Sequence, residues 1–258
     1  METLNYLIEK LIKENDELSN IVIPKSLNEK KDLYRALRNI REPKPIDNNY
    51  LKIQDKYLQE EIKNKGIIQE NEIPKYQGII SVYIGDITTI KCDAIVNACN
   101  EYLLGCFNPS HRCIDNTIHS FAGMQLREKC NKIMQGKTLP NGEVILTEGY
   151  NLPCKYIIHT VGPQIEDYPT KQDREDLKNC YLNSLKLAKK NNLKTITFPC
   201  ISTGLYSFPN EEACKIAIKT VSDYLKANPN TFDHIIFNVF KSEDYVLYRK
   251  YIKGSETA

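Results

Sequence analysis

Residues 78–100 read GIISVYIGDITTIKCDAIVNACN. Two β-branched runs, 78–84 and 94–99, stand a few residues apart. Each gives way to small or polar residues, Gly85-Asp86 after the first and Asn100 after the second. Runs this short and this apolar suit strands buried on both faces. Working outward, the same texture returns at 143–149, 155–161, 195–201 and 234–240. Amphipathic helical patterns fill the intervals at 113–135, 173–191, 211–227 and 243–252. In the first of these Ile114, Ile118, Phe121, Ala122 and Leu126 share one side; in the third Ala213, Ile216, Ala217, Val221 and Tyr224 do. From about residue 76 the chain therefore reads as an α/β sandwich.

The preceding stretch has a different texture. Leu4, Leu7, Ile8 and Leu11 recur at three- and four-residue steps. A second pattern carries Leu33, Leu37 and Ile40 and stops before Pro43 and Pro45; a third carries Tyr50, Ile53, Tyr57, Leu58 and Glu61. Residues 1–75 are thus expected to form a small helical domain packed on the main one (76–252). The alternative is a loosely attached dimerisation or docking element. Residues 253–258 are expected to be a flexible tail.

Composition narrows the function classes. The 258 residues carry a formal net charge of only +2, with both signs interspersed. That is not the footprint of a nucleic-acid binder, which gathers basic residues on one face. No apolar run approaches the roughly 20 residues of a membrane span. METLNYLIEKLIKENDEL has acidic residues throughout and lacks a signal-peptide core. Nine cysteines, an odd number, argue against a disulfide framework and for a cytoplasmic protein.

In open α/β sheets ligands bind outside the carboxyl ends of strands, and three loops there have compositions suited to chemistry. The first is Gly85-Asp86-Ile87-Thr88, where a carboxylate either accepts from an exocyclic amine or closes the turn. The second begins with Asn97 and Asn100, which can hydrogen-bond a diol or fix their own loop. It continues through Leu104-Gly105-Cys106-Phe107-Asn108-Pro109-Ser110-His111-Arg112-Cys113-Ile114-Asp115. Cys106, His111 and Cys113 offer two thiolates and an imidazole, the donors zinc prefers; three protein ligands with an open fourth position is the arrangement of catalytic zinc. A structural site closed by a distant fourth ligand, or no metal at all, remains open at this point. The third loop, Pro199 to Pro209, presents Ser202, Thr203, Gly204, Leu205 and Tyr206 before a helix that starts near Asn210. Its hydroxyls, backbone N–H groups and helix dipole suit phosphate oxygens.

In this order and spacing, the segments over residues 76–252 resemble the macrodomain family. LLGCFNPSHRCIDNTIHSFAG, 103–123, is similar to its zinc-containing ADP-ribosylhydrolase branch. The resemblance implies a three-layer α/β/α sandwich with a mixed central sheet, preceded by a small N-terminal helical domain. It implies one Zn2+ per chain on Cys106, His111 and Cys113, and hydrolysis of mono-ADP-ribose from protein side chains. Asp86 would accept from the adenine amino group and the backbone of Ile87 would touch the ring, with Phe240 a candidate to stack on it. Asn97 and Asn100 would lie near the distal ribose, Asn97 on a ribose hydroxyl. Gly105 and the Cys106–Cys113 loop would lie against the diphosphate and distal ribose, and Ser202 to Tyr206 would form the second phosphate loop. Asp115, with Asn97 beside it, would be catalytic, taking a proton from or ordering the attacking water; its other reading is a carboxylate favoured at a helix N-terminus. His119, four residues on, reads as a packed helix residue. Two thiolates make an ion less acidic than three imidazoles, which favours polarisation and positioning over hydroxide generation. The expected partners are a mono-ADP-ribosylated protein and ADP-ribose itself, with no nucleic acid and no membrane. Two other activities share the pocket: a reader that binds ADP-ribose without chemistry, and a hydrolase of a small derivative such as acetyl-ADP-ribose.

Overall fold

Three amphipathic helices come first in the computed structural model, which describes residues 2–109 and 111–254. α1 (Glu2–Ile12) buries Leu4, Leu7, Ile8 and Leu11. α2 (Leu27–Ile40) is capped by Ser26, whose hydroxyl accepts from Glu29 N and donates to the Glu29 carboxylate. α3 (Asn48–Lys65) is capped by Asp47 and stops at Gly66, whose φ of +88° suits glycine. These helices close over their own apolar cluster, into which Met124 of the following region inserts. The buried face of α2 mixes apolar and polar residues: Leu37 is buried as expected and Leu33 packs on the cluster. Ile40 is 37% exposed, whereas Lys30, Arg38 and Asn39 are buried. α2 turns polar groups inward because polar groups of the main domain receive them, as described below.

Beyond α3 lie β1 (Ile68–Gln69), β2 (Ile80–Ile84), β3 (Ile90–Lys91) and β4 (Ala94–Cys99). Next come α4 (Ile114–Ala122), α5 (Met124–Met134), β5 (Val144–Glu148) and β6 (Tyr156–Val161). The chain ends with α6 (Lys171–Lys190), β7 (Thr195–Phe198), α7 (Asn210–Ala227), β8 (His234–Val239) and α8 (Ser242–Gly254). Six strands form the main sheet in the order β2-β8-β7-β4-β6-β5; every pairing is parallel except the β5–β6 edge. β1 and β3 make a separate two-residue pair. One face of the sheet packs on α6, α7 and α8 through Leu177, Tyr181, Ala217 and Tyr248. The other packs on α4 and α5 through Ile118, Leu126, Cys130 and Met134. The result is the three-layer α/β/α sandwich with a mixed sheet, preceded by helices.

Three boundaries differ from the sequence reading, each for a local reason. The single helix expected over 113–135 breaks at Gly123, φ +104°, where a Cβ would sit 2.5 Å from Gln125 Oε1 and 2.9 Å from Gln54 Nε2. β7 ends at Phe198 rather than 201 because Pro199 has no N–H for the ladder. β2 starts at Ile80 because Gly78, φ +53°, belongs to a turn bridged by Gln77 and Ile80. Of the expected tail, residues 253–254 close α8 and 255–258 lie outside the described residues. Among the described residues no helix is long and apolar enough to cross a membrane.

Candidate active site

Five parallel strands deliver their carboxyl ends to one edge of the sandwich: β2 to Gly85-Asp86, β4 to Asn100, β6 to Gly162, β7 to Pro199 and β8 to Phe240. These residues line a single cleft of about 1280 Å³, together with residues 105–107, 111–115 and 202–206. The cleft is larger than the roughly 300–1,000 Å³ of an ordinary ligand pocket. Part of the excess comes from the N-terminal helices, since Arg35 of α2 and Tyr57 and Lys65 of α3 also face it.

At one end, Asp86 caps a short turn. Its Oδ1 accepts from Thr88 N at 2.9 Å and from the Thr88 hydroxyl at 2.6 Å, and its Oδ2 accepts from Lys65 Nζ at 2.7 Å. Burial raises the Asp86 pKa, but Lys65 and Thr88 more than offset that and hold the carboxyl below its usual range. Lys65 Nζ also lies 3.3 Å from the centre of the Phe121 ring. Ile87 is buried behind Asp86, while Phe240 stands 86% exposed at the rim, free to meet a flat ring.

The second phosphate-type loop turns tightly on itself. Ser202 has φ +64° and Ser207 φ +55°, conformations that a non-glycine residue adopts at a cost. Phe208 N donates to Ser202 O at 2.9 Å, Ser207 N to Gly204 O at 3.1 Å, and Ile165 N to Tyr206 O at 2.8 Å. Gly162 backs this loop so closely that a Cβ there would lie 2.1 Å from Ser202 Oγ. The Ser202 hydroxyl is buried without a hydrogen-bond partner among the described residues, a donor held for something from outside. Thr203, Leu205 and Tyr206 line the cleft beside it; Leu205 is 71% exposed.

At the other end, Cys106, His111 and Cys113 converge. Their ligand atoms all lie within 4.8 Å of one another, with Cys106 Sγ 3.3 Å from His111 Nδ1. A tetrahedral zinc ion holds such ligand atoms about 3.5–3.8 Å apart, so the donor set fits the ion in both chemistry and spacing. Cys113 doubles as the N-cap of α4, its sulfur accepting from Asn116 N at 3.4 Å. Burial pushes its thiol up to about 12, a bias that a coordinated cation reverses. Gly105 has φ +78°, and a Cβ there would lie 2.9 Å from His119 Cγ, so this loop crosses hard against α4.

Asp115 follows, in the first turn of α4, lining the cleft although only 5% exposed. Asn97 Nδ2 donates to its Oδ1 at 2.8 Å and also reaches His159 Nδ1 at 3.2 Å; His159 Nε2 in turn lies 2.9 Å from the Thr147 hydroxyl. Burial raises the Asp115 carboxyl to about 6, against the pull of Asn97 and Arg127. The structure does not bring Asn97 to the cleft: it is fully buried beneath Asp115, and Asn100 is the asparagine on the wall. Depth along the strand decides this: Asn97 lies inside β4, whereas Ala98, Cys99 and Asn100 at its end reach the cleft. Asn100 accepts from Tyr102 N and donates to Gly105 O at 3.1 Å, bracing the turn. His119 is packed: 6% exposed and held neutral by burial, with Arg127 and His159 adding to that shift.

Several residues at the site escaped the sequence reading. Lys65, Arg35, Arg127 and His159 come from positions 12 to 89 residues from the groups they touch, so spacing could not reveal them. Asn116 lay within the motif but looked like an ordinary helix residue.

Comparison with known proteins agrees with this fold. A family profile described as Macro domain matches residues 96–217. A protein-ADP-ribose hydrolase of Treponema medium is 46% identical over 251 residues, covering 95% of this chain and 96% of the relative. Among solved structures, an Oceanobacillus iheyensis macrodomain with ADP superposes with a TM-score of 0.62 at 38% identity, covering 69% of this chain and 91% of that one. A Trypanosoma brucei macrodomain in complex with ADP-ribose superposes with a TM-score of 0.66 at 28% identity, covering 84% and 94%.

Proposed function

This chain belongs to the macrodomain family, and on that premise we propose that it is a zinc-dependent hydrolase removing mono-ADP-ribose from protein side chains. The observation that carries the reading is the meeting, in one cleft, of the Cys106–His111–Cys113 donor set with the buried carboxyl of Asp115. The name of the 46%-identical relative supports hydrolysis, and the bound ADP-ribose of the trypanosomal structure supports the ligand.

In this reading the ligand lies along the strand ends. Asp86 and the backbone of Ile87 receive the adenine, with Phe240 over it. Ser202, Thr203, Gly204, Leu205 and Tyr206 take the phosphates, and Asn100 and Gly105 flank the distal ribose. Binding energy from the remote adenine and diphosphate fixes the anomeric carbon beside Asp115. There a water adds to the anomeric carbon as its bond to the protein side chain breaks, and the Asp115 carboxylate takes the proton that the water loses. With its pKa raised toward neutrality, Asp115 is basic enough to do so while still ionised above pH 6. Asn97 acts from beneath, fixing the carboxylate orientation through Oδ1. Cys106, His111 and Cys113 would hold the zinc, which supplies polarisation and positioning of a ribose or substrate oxygen when bound. We further take residues 1–75 as the helical domain and 76–252 as the macrodomain. We place the protein in the cytoplasm, in keeping with its free cysteines.

The test is release of ADP-ribose from a mono-ADP-ribosylated protein, with and without a chelator. Cys106→Ala and His111→Ala are expected to abolish turnover while ADP-ribose still binds. Binding without release by the zinc-loaded wild type would make the chain a reader. Release from acetyl-ADP-ribose alone would make it a hydrolase of small derivatives.

A further inference from the structure

We infer that the N-terminal helical layer is part of the ion-binding apparatus: Arg35 of α2, acting through the side-chain amide of Asn116, holds the 106–113 loop in the shape that gathers its two sulfurs and its imidazole. The inference rests on the zinc reading above and assigns the N-terminal helices a task in it.

Asn116 is fully buried, and each end of its amide is committed. Its Oδ1 accepts from Arg35 Nη2 at 2.7 Å, Arg35 Nε at 3.2 Å and Asn39 Nδ2 at 3.1 Å, all from α2. Ser120 Oγ adds a bond at 3.3 Å from within α4. With the oxygen facing α2, the amide nitrogen must face the loop, where it donates to Cys106 O at 3.4 Å and Asn108 O at 3.2 Å. The backbone N–H of the same residue points at Cys113 Sγ. One residue thus touches the backbone of the first sulfur ligand and the sulfur of the third.

Arg35 sets the direction of that amide. Its planar fork reaches Asn116 with two nitrogens and the Thr117 hydroxyl at 3.2 Å with one of them, a geometry that lysine cannot copy. Among the described residues Arg35 forms no ion pair with a carboxylate, so its hydrogen bonds are spent on α4. A second tether runs the same way. Arg127 donates to the carbonyls of Arg38, Asn39 and Arg41 at the end of α2, and its guanidinium stacks 4.2 Å from the centre of the Phe107 ring. Phe107 lies within the donor loop, so the loop is gripped on both sides by groups that α2 fixes. The remaining link, Arg112 to Asp32 at 3.4 Å, is exposed and contributes little. Arg35 is therefore a positioning residue. Partners of this kind outside a metal's ligands set affinity by about 10–100-fold.

The experiment is a zinc competition titration of the full chain against a chromophoric chelator, comparing wild type with Arg35→Met and Arg35→Lys. Arg35→Met is expected to weaken zinc binding by about 10–100-fold and Arg35→Lys by less. The zinc-free Arg35→Met protein should keep a cooperative unfolding transition, with Tm lowered modestly by the hydrogen bonds it loses. Lys31→Ala, which breaks the α2–α3 pair with Glu61 and leaves Asn116 alone, should bind zinc as the wild type does. Wild-type zinc affinity in Arg35→Met overturns the inference while leaving the zinc reading intact. A wild type that takes up no zinc overturns both. Should Arg35→Met fail to fold, Asn39→Ala carries the test: weaker zinc binding supports the role, and unchanged affinity contradicts it.

Discussion

The two loops that close over the strand ends solve the same problem in opposite ways. The 200–209 loop largely holds its own shape: its bonds run mostly within the loop, with Ile165 and the Tyr181 hydroxyl as outside partners, and it accepts left-handed backbone at Ser202 and Ser207 to make them. The 103–113 loop takes its shape from outside, through a buried amide whose oxygen is claimed by α2, some 80 residues earlier in the chain. The first arrangement suits a cradle that must present N–H groups and a spare hydroxyl to any phosphate. The second suits a donor set whose ligand atoms must be placed to within a fraction of an ångström. The contrast explains why a helical domain without catalytic residues can accompany a complete sandwich.

The comparison can be broken most forcefully at the chemistry. Asp115→Asn removes the proposed proton acceptor but keeps a polar group of the same size on Asn97. Turnover should fall roughly 100- to 10,000-fold, with zinc content and ADP-ribose affinity retained, as measured by hydrolysis assay, metal analysis and calorimetry. A loss of ADP-ribose binding on the same scale would turn Asp115 into a binding residue.

A smaller effect separates the loops from each other. Gly162→Ala puts a methyl group where Ser202 Oγ lies, 2.1 Å from the new atom. Overpacking of this kind costs about 1–3 kcal/mol. The 200–209 loop must shift, so ADP-ribose should bind about tenfold more weakly while zinc affinity stays at the wild-type value. Coupled loss of zinc would show that the two loops are not independent.

The smallest effect lies at the far end of β4, away from the cleft. Asp93 Oδ2 accepts from Lys194 N at 2.7 Å and Thr195 N at 3.2 Å, and its Oδ1 accepts from Lys155 Nζ at 2.7 Å. Burial raises its pKa, but these partners outweigh it and hold the carboxyl below the usual range. A depressed folded-state pKa gives stability that is present above the unfolded value and lost as pH falls through the folded one. Asp93→Asn should therefore lower Tm at pH 7, by about 1 kcal/mol of stability, and the gap to wild type should close as pH falls below the ordinary carboxylate range. Hydrolysis by the folded variant should be unchanged. A gap that widens in acid would contradict the assignment.

What could be read from the sequence follows the range of the interactions involved. The strands and most helices were legible because their signal is local: six apolar runs, each followed by small or polar residues, mark the sheet. The donor set was legible because Cys106, His111 and Cys113 fall within eight residues of one another. The break at Gly123 was hidden because a glycine inside a helical pattern does not say which neighbour crowds it; here Gln54 and Gln125 do. The burial of Asn97 beneath Asp115 follows from strand register, which the motif alone does not fix. The grip of Arg35 and Asn39 on Asn116 was illegible because it joins an N-terminal helix to α4 across roughly 80 positions.

If Cys106, His111 and Cys113 bind an ion without which ADP-ribose is not released, metal content and activity must rise and fall together. Elemental analysis of the full chain, purified without added metal, is to be paired with release of ADP-ribose from a modified protein before and after chelation. About one zinc per chain is expected, with activity that disappears with the metal and returns when zinc is added back. A metal-free preparation that releases ADP-ribose at full rate would contradict it.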